Sequence, residues 1–145
     1  MRVEFGFAGH PQILAYHGPT LKVAVGFDAK WNASGHKPPR ARGFELEALV
    51  DTGAQASCID RMLAAQLGLP VVDRQPVCGV HGLREVDVYL AQIYVPALDF
   101  TEHGAFAGVE LKEGGHRQHI LLGRGFLKNF TLIYTGQTGL VALER

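Results

Sequence analysis

The chain has 145 residues, enough for one domain with a hydrophobic core and too few for two domains of ordinary size. Its 14 basic and 14 acidic residues give a formal net charge of zero, so the composition does not indicate the basic face that nucleic acids or anionic membranes require. A hydrophobic fraction of 47% and a charged fraction of 19% exclude a disordered chain. Glycine, with 18 residues, is enriched over the usual ~7%, which favours a turn-rich β protein over a helical bundle.

The sequence carries no targeting or anchoring pattern. The first residues, Met1–Phe7, contain charges and lack the apolar run of a signal peptide. No stretch approaches the ~18 consecutive apolar residues of a membrane span. Cys58 and Cys78 are too few for a disulfide framework, so we expect reduced thiols. These features predict a cytoplasmic protein with no membrane or nucleic-acid partner.

Apolar residues at every second position predict strands along most of the chain. The phase of the alternation changes between Leu90 and Ile93, which predicts either a bulge or a strand that is buried on both faces. Residues 28–42 are rich in polar residues, glycine and proline and predict a long loop. The predicted strands cover residues 3–7, 21–27, 44–50, 86–95, 105–111, 130–134 and 140–143, the last two joined by a hairpin turn over 135–139.

Two short helices interrupt these strands. Asp60 is placed to cap the first, which Gly68 and Pro70 end. The second follows Gly123, where apolar residues recur at helical spacing. The whole pattern predicts a mostly β fold with one or two short helices, and strands joined by turns indicate a mostly antiparallel barrel or sandwich.

The most informative stretch runs from Ala48 to Ile59, where an alternating strand leads directly into Asp51, Thr52 and Gly53. A carboxylate at the end of an apolar strand is costly unless it is paired or hydrogen-bonded. Gly53 lets the backbone turn and brings its N–H towards the carboxylate, and Thr52 offers a hydroxyl to a neighbouring strand. Such a turn can hold an acid for acid–base chemistry. A plain turn uses the same residue types, so that interpretation stays open on the tripeptide alone.

A second informative stretch is Ile120 to Leu127, where a short apolar strand ends in glycine and passes into a helix. Together with the upstream Asp-Thr-Gly turn, this strand and helix resemble the retropepsin-like aspartic proteases. In that family the two strands lie side by side. The resemblance covers about residues 18–143 in order, including a flap segment at 75–82. It implies a single domain over residues 1–145 that folds as a closed β-barrel of the acid protease type, with residues 28–42 as a loop insertion.

The resemblance also implies a mechanism. The chain has one Asp-Thr-Gly, so Asp51 would pair with Asp51 of a second subunit in a homodimer that hydrolyses peptide bonds with no metal and no cofactor. The two carboxyl groups would share one proton, and an extended peptide or protein would be the substrate. The implied catalytic residues are Asp51, Thr52 and Gly53; the implied substrate-binding residues are Ala54, Gln55, Gly79, Val80, His81 and Gly82; and the implied supports of the dimer are Leu122, Gly123 and Arg124.

The sequence departs from the family pattern at the edges of the motif. Gly125 stands where the family usually has Asp or Asn. Gln55 and Ala56 stand where viral members often have acids, so Arg124 loses an expected ionic partner. We expect Glu45, Glu47 or another acid to replace it.

Three alternative functions are a metal site, a cysteine nucleophile and a peptide-binding module. His116 and His119 have the composition of a metal site, but the glycines before them and the strand after them favour a solvated loop. Cys58 follows the catalytic turn without a local base, so it is expected to be a small core residue rather than a nucleophile. The serious alternative to a protease is a catalytically weak or inactive dimer of the same fold that acts as a peptide-binding module.

Overall fold

Most of the regular secondary structure is β-strand. The structure is a computed structural model that describes residues 1–79 and 82–145. In chain order, the described elements are β1 (Arg2–Gly6), α1 (Pro11–His17), β2 (Thr20–Gly26), β3 (Gly43–Val50), β4 (Cys58–Asp60), α2 (Arg61–Gln66), β5 (Val71–Gly79), β6 (Gly82–Val95), a 3-10 helix (Pro96–Leu98), β7 (Phe100–Val109), β8 (Ile120–Leu122), α3 (Arg124–Leu127), β9 (Thr131–Thr135) and β10 (Leu140–Glu144).

Six strands close into a barrel. They follow the order β2-β3-β8-β4-β7-β6, and the last residues of β6 pair back to β2, with Tyr94 opposite Ala24. Most pairings are antiparallel, as expected, but β3 runs parallel to β8 and β4 runs parallel to β7. The closed barrel leaves none of these six strands with a free edge along its whole length, and their inward side chains form one hydrophobic core.

A long hairpin extends from this barrel. Along β5–β6, residues Val71–Gly79 pair with Gly82–Tyr89, whereas β7 pairs with β6 only from Val88 onwards. The first residues of β6 are therefore bonded to β5 alone, and the hairpin forms a two-stranded ribbon. Further along β6, Gln92 and Ile93 are both buried, so the change of phase reflects a strand that is buried on both faces.

The helices agree with the sequence except at one place. Asp60 caps α2 as predicted, with its carboxylate accepting the Leu63 N–H, and α3 follows Gly123. The prediction of one or two short helices did not include α1. That helix begins at Pro11, a favourable first residue, but it is only seven residues long and buries Leu14 alone, too little for an apolar periodicity.

The termini form a sheet of their own, in the order β1-β10-β9. The predicted hairpin turn joins β9 to β10, and the Thr138 N–H donates to the Thr135 carbonyl there. The central strand β10 is thus hydrogen-bonded on both sides, while β1 and β9 each have one outer edge.

The predicted loop at 28–42 contains no helix or strand and lies between β2 and β3. Its conformation is fixed at both ends, because the Asp28 carboxylate accepts the backbone N–H groups of Lys30 and Arg40. The Trp31 ring lies 5.6 Å from the His103 ring of β7, which ties the loop to the barrel. The longest described helix has seven residues, and none of the described helices has the length and hydropathy to cross a membrane.

A cluster of aromatic rings under α3 offers a test of the core. Phe126 is fully buried, with its ring centre 5.0 Å from that of Phe130 and 5.7 Å from that of Phe100. We predict that Phe126→Ala lowers the free energy of unfolding by about 3–5 kcal/mol, because it removes buried contacts and leaves a cavity. Phe44, which is 68% exposed, is the matched control, and Phe44→Ala should change the free energy of unfolding by less than about 0.5 kcal/mol. Equal losses in urea titrations of the two variants would contradict this packing.

Candidate active site

The Asp51 turn is held by backbone hydrogen bonds. The Asp51 N–H donates to the Leu122 carbonyl at 2.9 Å, and the Gly53 N–H donates to Asp51 Oδ1 at 2.8 Å. Asp51 is half-buried, whereas Thr52 and Gly53 are exposed. The carboxylate therefore sits at the end of β3 with one oxygen already oriented by the turn, which is the geometry that the sequence predicts.

The second motif lies directly beside the first. Val50 in β3 is the register partner of Leu122 in β8, and the two strands run parallel. Beyond the strands, the Arg124 N–H donates to the Ala54 carbonyl at 2.9 Å, and the Gly125 N–H donates to the Gln55 carbonyl at 2.9 Å. The two loops thus form one hydrogen-bonded unit, so the predicted catalytic residues and the predicted supports come together.

Arg124 binds this unit in a way that the sequence did not predict. Its guanidinium Nη1 donates to the Thr52 carbonyl at 2.8 Å. The expectation that Glu45 or Glu47 replaces the missing acid is wrong: Glu47 lies 3.8 Å from Lys22, and no acid of the described residues is within 4 Å of Arg124. A backbone carbonyl takes the place of the carboxylate, because its lone pairs can also accept a guanidinium N–H.

Gly123 lies where the two loops cross. A Cβ at this position would be 2.7 Å from the carbonyl oxygen of Ala56 and 2.9 Å from that of Ala54. Both contacts are with backbone atoms, which cannot move aside without shifting the loop that follows Asp51. Gly123 is therefore required for the close approach rather than for an unusual backbone angle.

Two site residues were missed by the sequence reasoning. The Ser57 hydroxyl donates to Glu102 Oε2 at 2.9 Å and accepts the Gly123 N–H at 3.1 Å. Ser57 is 3% exposed, and burial raises the pKa of the Glu102 carboxyl, while the Ser57 hydrogen bond lowers it. A signal for Glu102 exists in the alternation of β7, where it shares a face with the buried Phe106.

The predicted flap coincides with the β5–β6 hairpin. Gly79 and Gly82 are register partners at its end, and Val80 and His81 lie outside the described residues. No hydrogen bond among the described residues joins this end of the hairpin to the Asp51 turn. The substrate-binding role of Gly79, Val80, His81 and Gly82 stays a prediction.

The Cys58 thiol and the Asp60 carboxylate do not act as catalytic groups. Burial raises the pKa of the Cys58 thiol to about 11, and the nearby Asp51 carboxylate acts in the same direction. The thiol is therefore protonated at neutral pH, which is the wrong state for a nucleophile. Asp60 is buried and accepts the N–H groups of Leu63, Leu111 and Lys112, so it holds structure together. No group of three or more metal-ligating side chains occurs within residues 1–79 and 82–145.

Comparison with known proteins identifies the family and the fold of the chain. Residues 40–129 match a family model described as "gag-polyprotein putative aspartyl protease", and no curated protein matches the sequence. A retropepsin-like aspartic protease from Rickettsia conorii has a TM-score of 0.56 at 12% identity, covering 99% of this chain and 89% of that one. The protease of simian foamy virus (mac) has a TM-score of 0.48 at 16% identity, covering 75% and 91%. The similarity to the Rickettsia protein shows that the chain has the retropepsin-like fold.

The loop crossing at Gly123 can be tested with a matched pair of substitutions. We predict that Gly123→Ala lowers the free energy of unfolding by about 1–3 kcal/mol, because the new methyl group overlaps backbone atoms. Gly125→Ala is the control, since its Cβ would meet only the Gln55 carbonyl oxygen at 3.6 Å, and in a helix it should be neutral or stabilising by up to about 1 kcal/mol. Urea titration measures the free energy of unfolding of each variant. Equal stability of the two variants would contradict the close approach of Gly123 to the loop that follows Asp51.

Proposed function

Because the chain belongs to the gag-polyprotein aspartyl protease family, we propose that it is an endopeptidase in which two Asp51 carboxyl groups, one from each subunit of a homodimer, activate a water molecule. The observation that carries this proposal is the Asp51 turn, whose carboxylate is oriented by the Gly53 N–H and whose backbone is bonded to β8. Such fixed geometry at an acid is what general acid–base catalysis needs.

The need for a second chain follows from the other aspartates. Asp28 binds backbone groups of its own loop, Asp60 is buried beneath α2, and Asp99 accepts the Tyr94 hydroxyl. The remaining two, Asp73 and Asp87, lie on the β5–β6 hairpin. None of these five aspartates begins a turn like that of Asp51, because none is followed by Thr-Gly or Ser-Gly. A second copy of the chain is therefore the natural source of the second carboxyl group.

The chemistry follows from two carboxyl groups in contact. They cannot both ionise cheaply, so the pair holds one proton between them. The ionised carboxylate takes a proton from water as the water oxygen attacks the peptide carbonyl carbon. The protonated carboxyl hydrogen-bonds the carbonyl oxygen as it gains charge. A proton then passes to the amide nitrogen, the C–N bond breaks, and the pair regains its single shared proton.

The other turn residues, the end of the hairpin and the terminal strands also have roles in this scheme. The exposed Thr52 hydroxyl would brace the two loops across the dimer axis, and Gly53 would leave room at the acid pair. The hairpin end at Gly79–Gly82 would close over an extended peptide. Of the terminal strands, we assign the dimer contact to β1, since β10 is already bonded on both sides and has no backbone groups to offer.

Replacing the proposed acid gives the direct test. We predict that Asp51→Asn lowers cleavage of a denatured peptide pool by at least about 100-fold, because the shared proton and the base are both lost. Asp99→Asn is the matched control: Asp99 is exposed, has a φ of 43°, which asparagine tolerates, and lies outside the proposed site, so cleavage should not change.

Mass spectrometry of the digests between mildly acidic and neutral pH reads the result. Equal cleavage by wild type and Asp51→Asn would refute the assignment of Asp51. If neither folded, dimeric protein cleaves any peptide, the peptide-binding module becomes the better reading of the fold.

A further inference from the structure

A cleft opens beside the loop that leaves the Asp51 turn. It has a volume of about 410 Å³, and its lining includes Gln55 and Ala56 of that loop, Glu102 and Phe106 of β7, and Gly125 of α3. Gln55 is only four residues beyond Asp51 and is bonded through its carbonyl to Gly125. A peptide that runs along the catalytic loop would therefore reach the cleft within a few residues of the scissile bond, at ~3.3 Å per extended residue.

The cleft carries an acid, Glu102, that has no salt-bridge partner among the described residues. Burial raises the pKa of its carboxyl, while the more distant charge of Lys128 acts to lower it. Glu102 accepts one hydrogen bond, from the Ser57 hydroxyl, and no basic side chain of the described residues lies within 4 Å of its carboxylate. Around it the lining combines apolar side chains, Ala56, Ala105 and Phe106, with polar ones, Gln55, Ser57 and His103. A carboxylate in such surroundings favours a cation, and the apolar wall suits the hydrocarbon stem of lysine or arginine.

Two glycines keep the cleft open. A Cβ at Gly104 would meet no atom within 4 Å, and a Cβ at Gly125 would meet only the Gln55 carbonyl oxygen at 3.6 Å. Neither glycine has a positive φ, so the backbone does not require glycine at either position. What their missing side chains provide is space at the cleft wall.

From the cleft, its acid without a salt bridge and the two glycines of its wall, we propose that this cleft is a subsite for a lysine or arginine side chain of the bound peptide and that Glu102 determines that preference. The proposal rests on the proposed function, because it places the peptide in the same groove as the Asp51 pair. It goes further by naming a basic residue, at one fixed position away from the scissile bond, as a feature of preferred substrates.

The preference can be measured with a peptide pool made by cleavage at aromatic residues, which leaves lysine and arginine inside the peptides. In wild-type digests near neutral pH, we expect basic residues to be enriched several-fold at one position when the cleaved sites are aligned. Glu102→Gln should abolish this enrichment, because its neutral amide still accepts the Ser57 hydroxyl but no longer attracts a cation. Gly104→Val should abolish it by filling the cleft.

Three results would overturn the proposal. One is an unchanged enrichment in Glu102→Gln, and another is the absence of any enrichment among the sites that wild type cleaves. The third is an equal loss of cleavage at all sites in Glu102→Gln, which would mean that Glu102 acts only by positioning Ser57. Glu45→Gln, at an exposed glutamate of β3, is the control for loss of one negative charge and should leave the enrichment unchanged.

A binding measurement separates this proposal from the proposed function. Peptides from the same pool are captured on immobilised Asp51→Asn and on Asp51→Asn/Glu102→Gln, and both retained sets are sequenced by mass spectrometry. Enrichment of basic residues on the first variant and not on the second supports the subsite even if wild type cleaves nothing. Equal composition of the two sets, or retention of no peptide, would overturn the subsite whatever the cleavage assay shows.

Discussion

The site depends above all on the backbone hydrogen bonds that join the Asp51 loop to the β8–α3 junction. Asp51 bonds to Leu122, Ala54 to Arg124, and Gln55 to Gly125, so three successive points of one loop are bonded to the other. These three bonds use main-chain groups alone, and the side chains of Arg124 and Ser57 add two more bonds between the same loops. Only Gly123 is restricted, because the two loops meet there with no room for a side chain. The rigid acid, the position of Ser57 and the cleft beside it all follow from this contact.

Much of this could be predicted from the sequence because it is local or periodic. Alternating apolar residues identified β2, β3, β6 and part of β7, a short apolar run identified β8, and the acid that follows β3 identified the turn, whereas the three-residue strand β4 was not predicted. The pairing of β3 with β8 was not visible in spacing, since 69 positions separate Asp51 from Ile120; it came from the resemblance of the two motifs to a family, and its parallel direction came only from the structure. The cap at Asp60 was predictable because a capping acid and the helix it starts are neighbours in the chain.

The features that were not predicted depend on contacts between distant parts of the chain or on backbone groups. Glu102 and Ser57 are 45 residues apart, and their contact exists only once β4 and β7 are neighbours. The predicted strand began at Ala105, five residues after β7 begins at Phe100, so Glu102 was never placed on the buried face. The carbonyl of Thr52, which binds Arg124, has no sequence signature because every residue has one. Sequence patterns therefore locate the catalytic acid, whereas the groups that support it can be identified only once the fold is known.

The central claim is that one active site takes an acid from each of two chains, and subunit mixing tests it most directly. Wild type and Asp51→Asn would be unfolded and refolded together in equal amounts, with mass-tagged chains to verify that mixed dimers form. If both acids are needed, only dimers of two wild-type chains are active, and at constant total protein the activity falls to about a quarter of the wild-type value. An activity of about a half, with mixed dimers present, would show that each chain acts by itself and would contradict the shared pair.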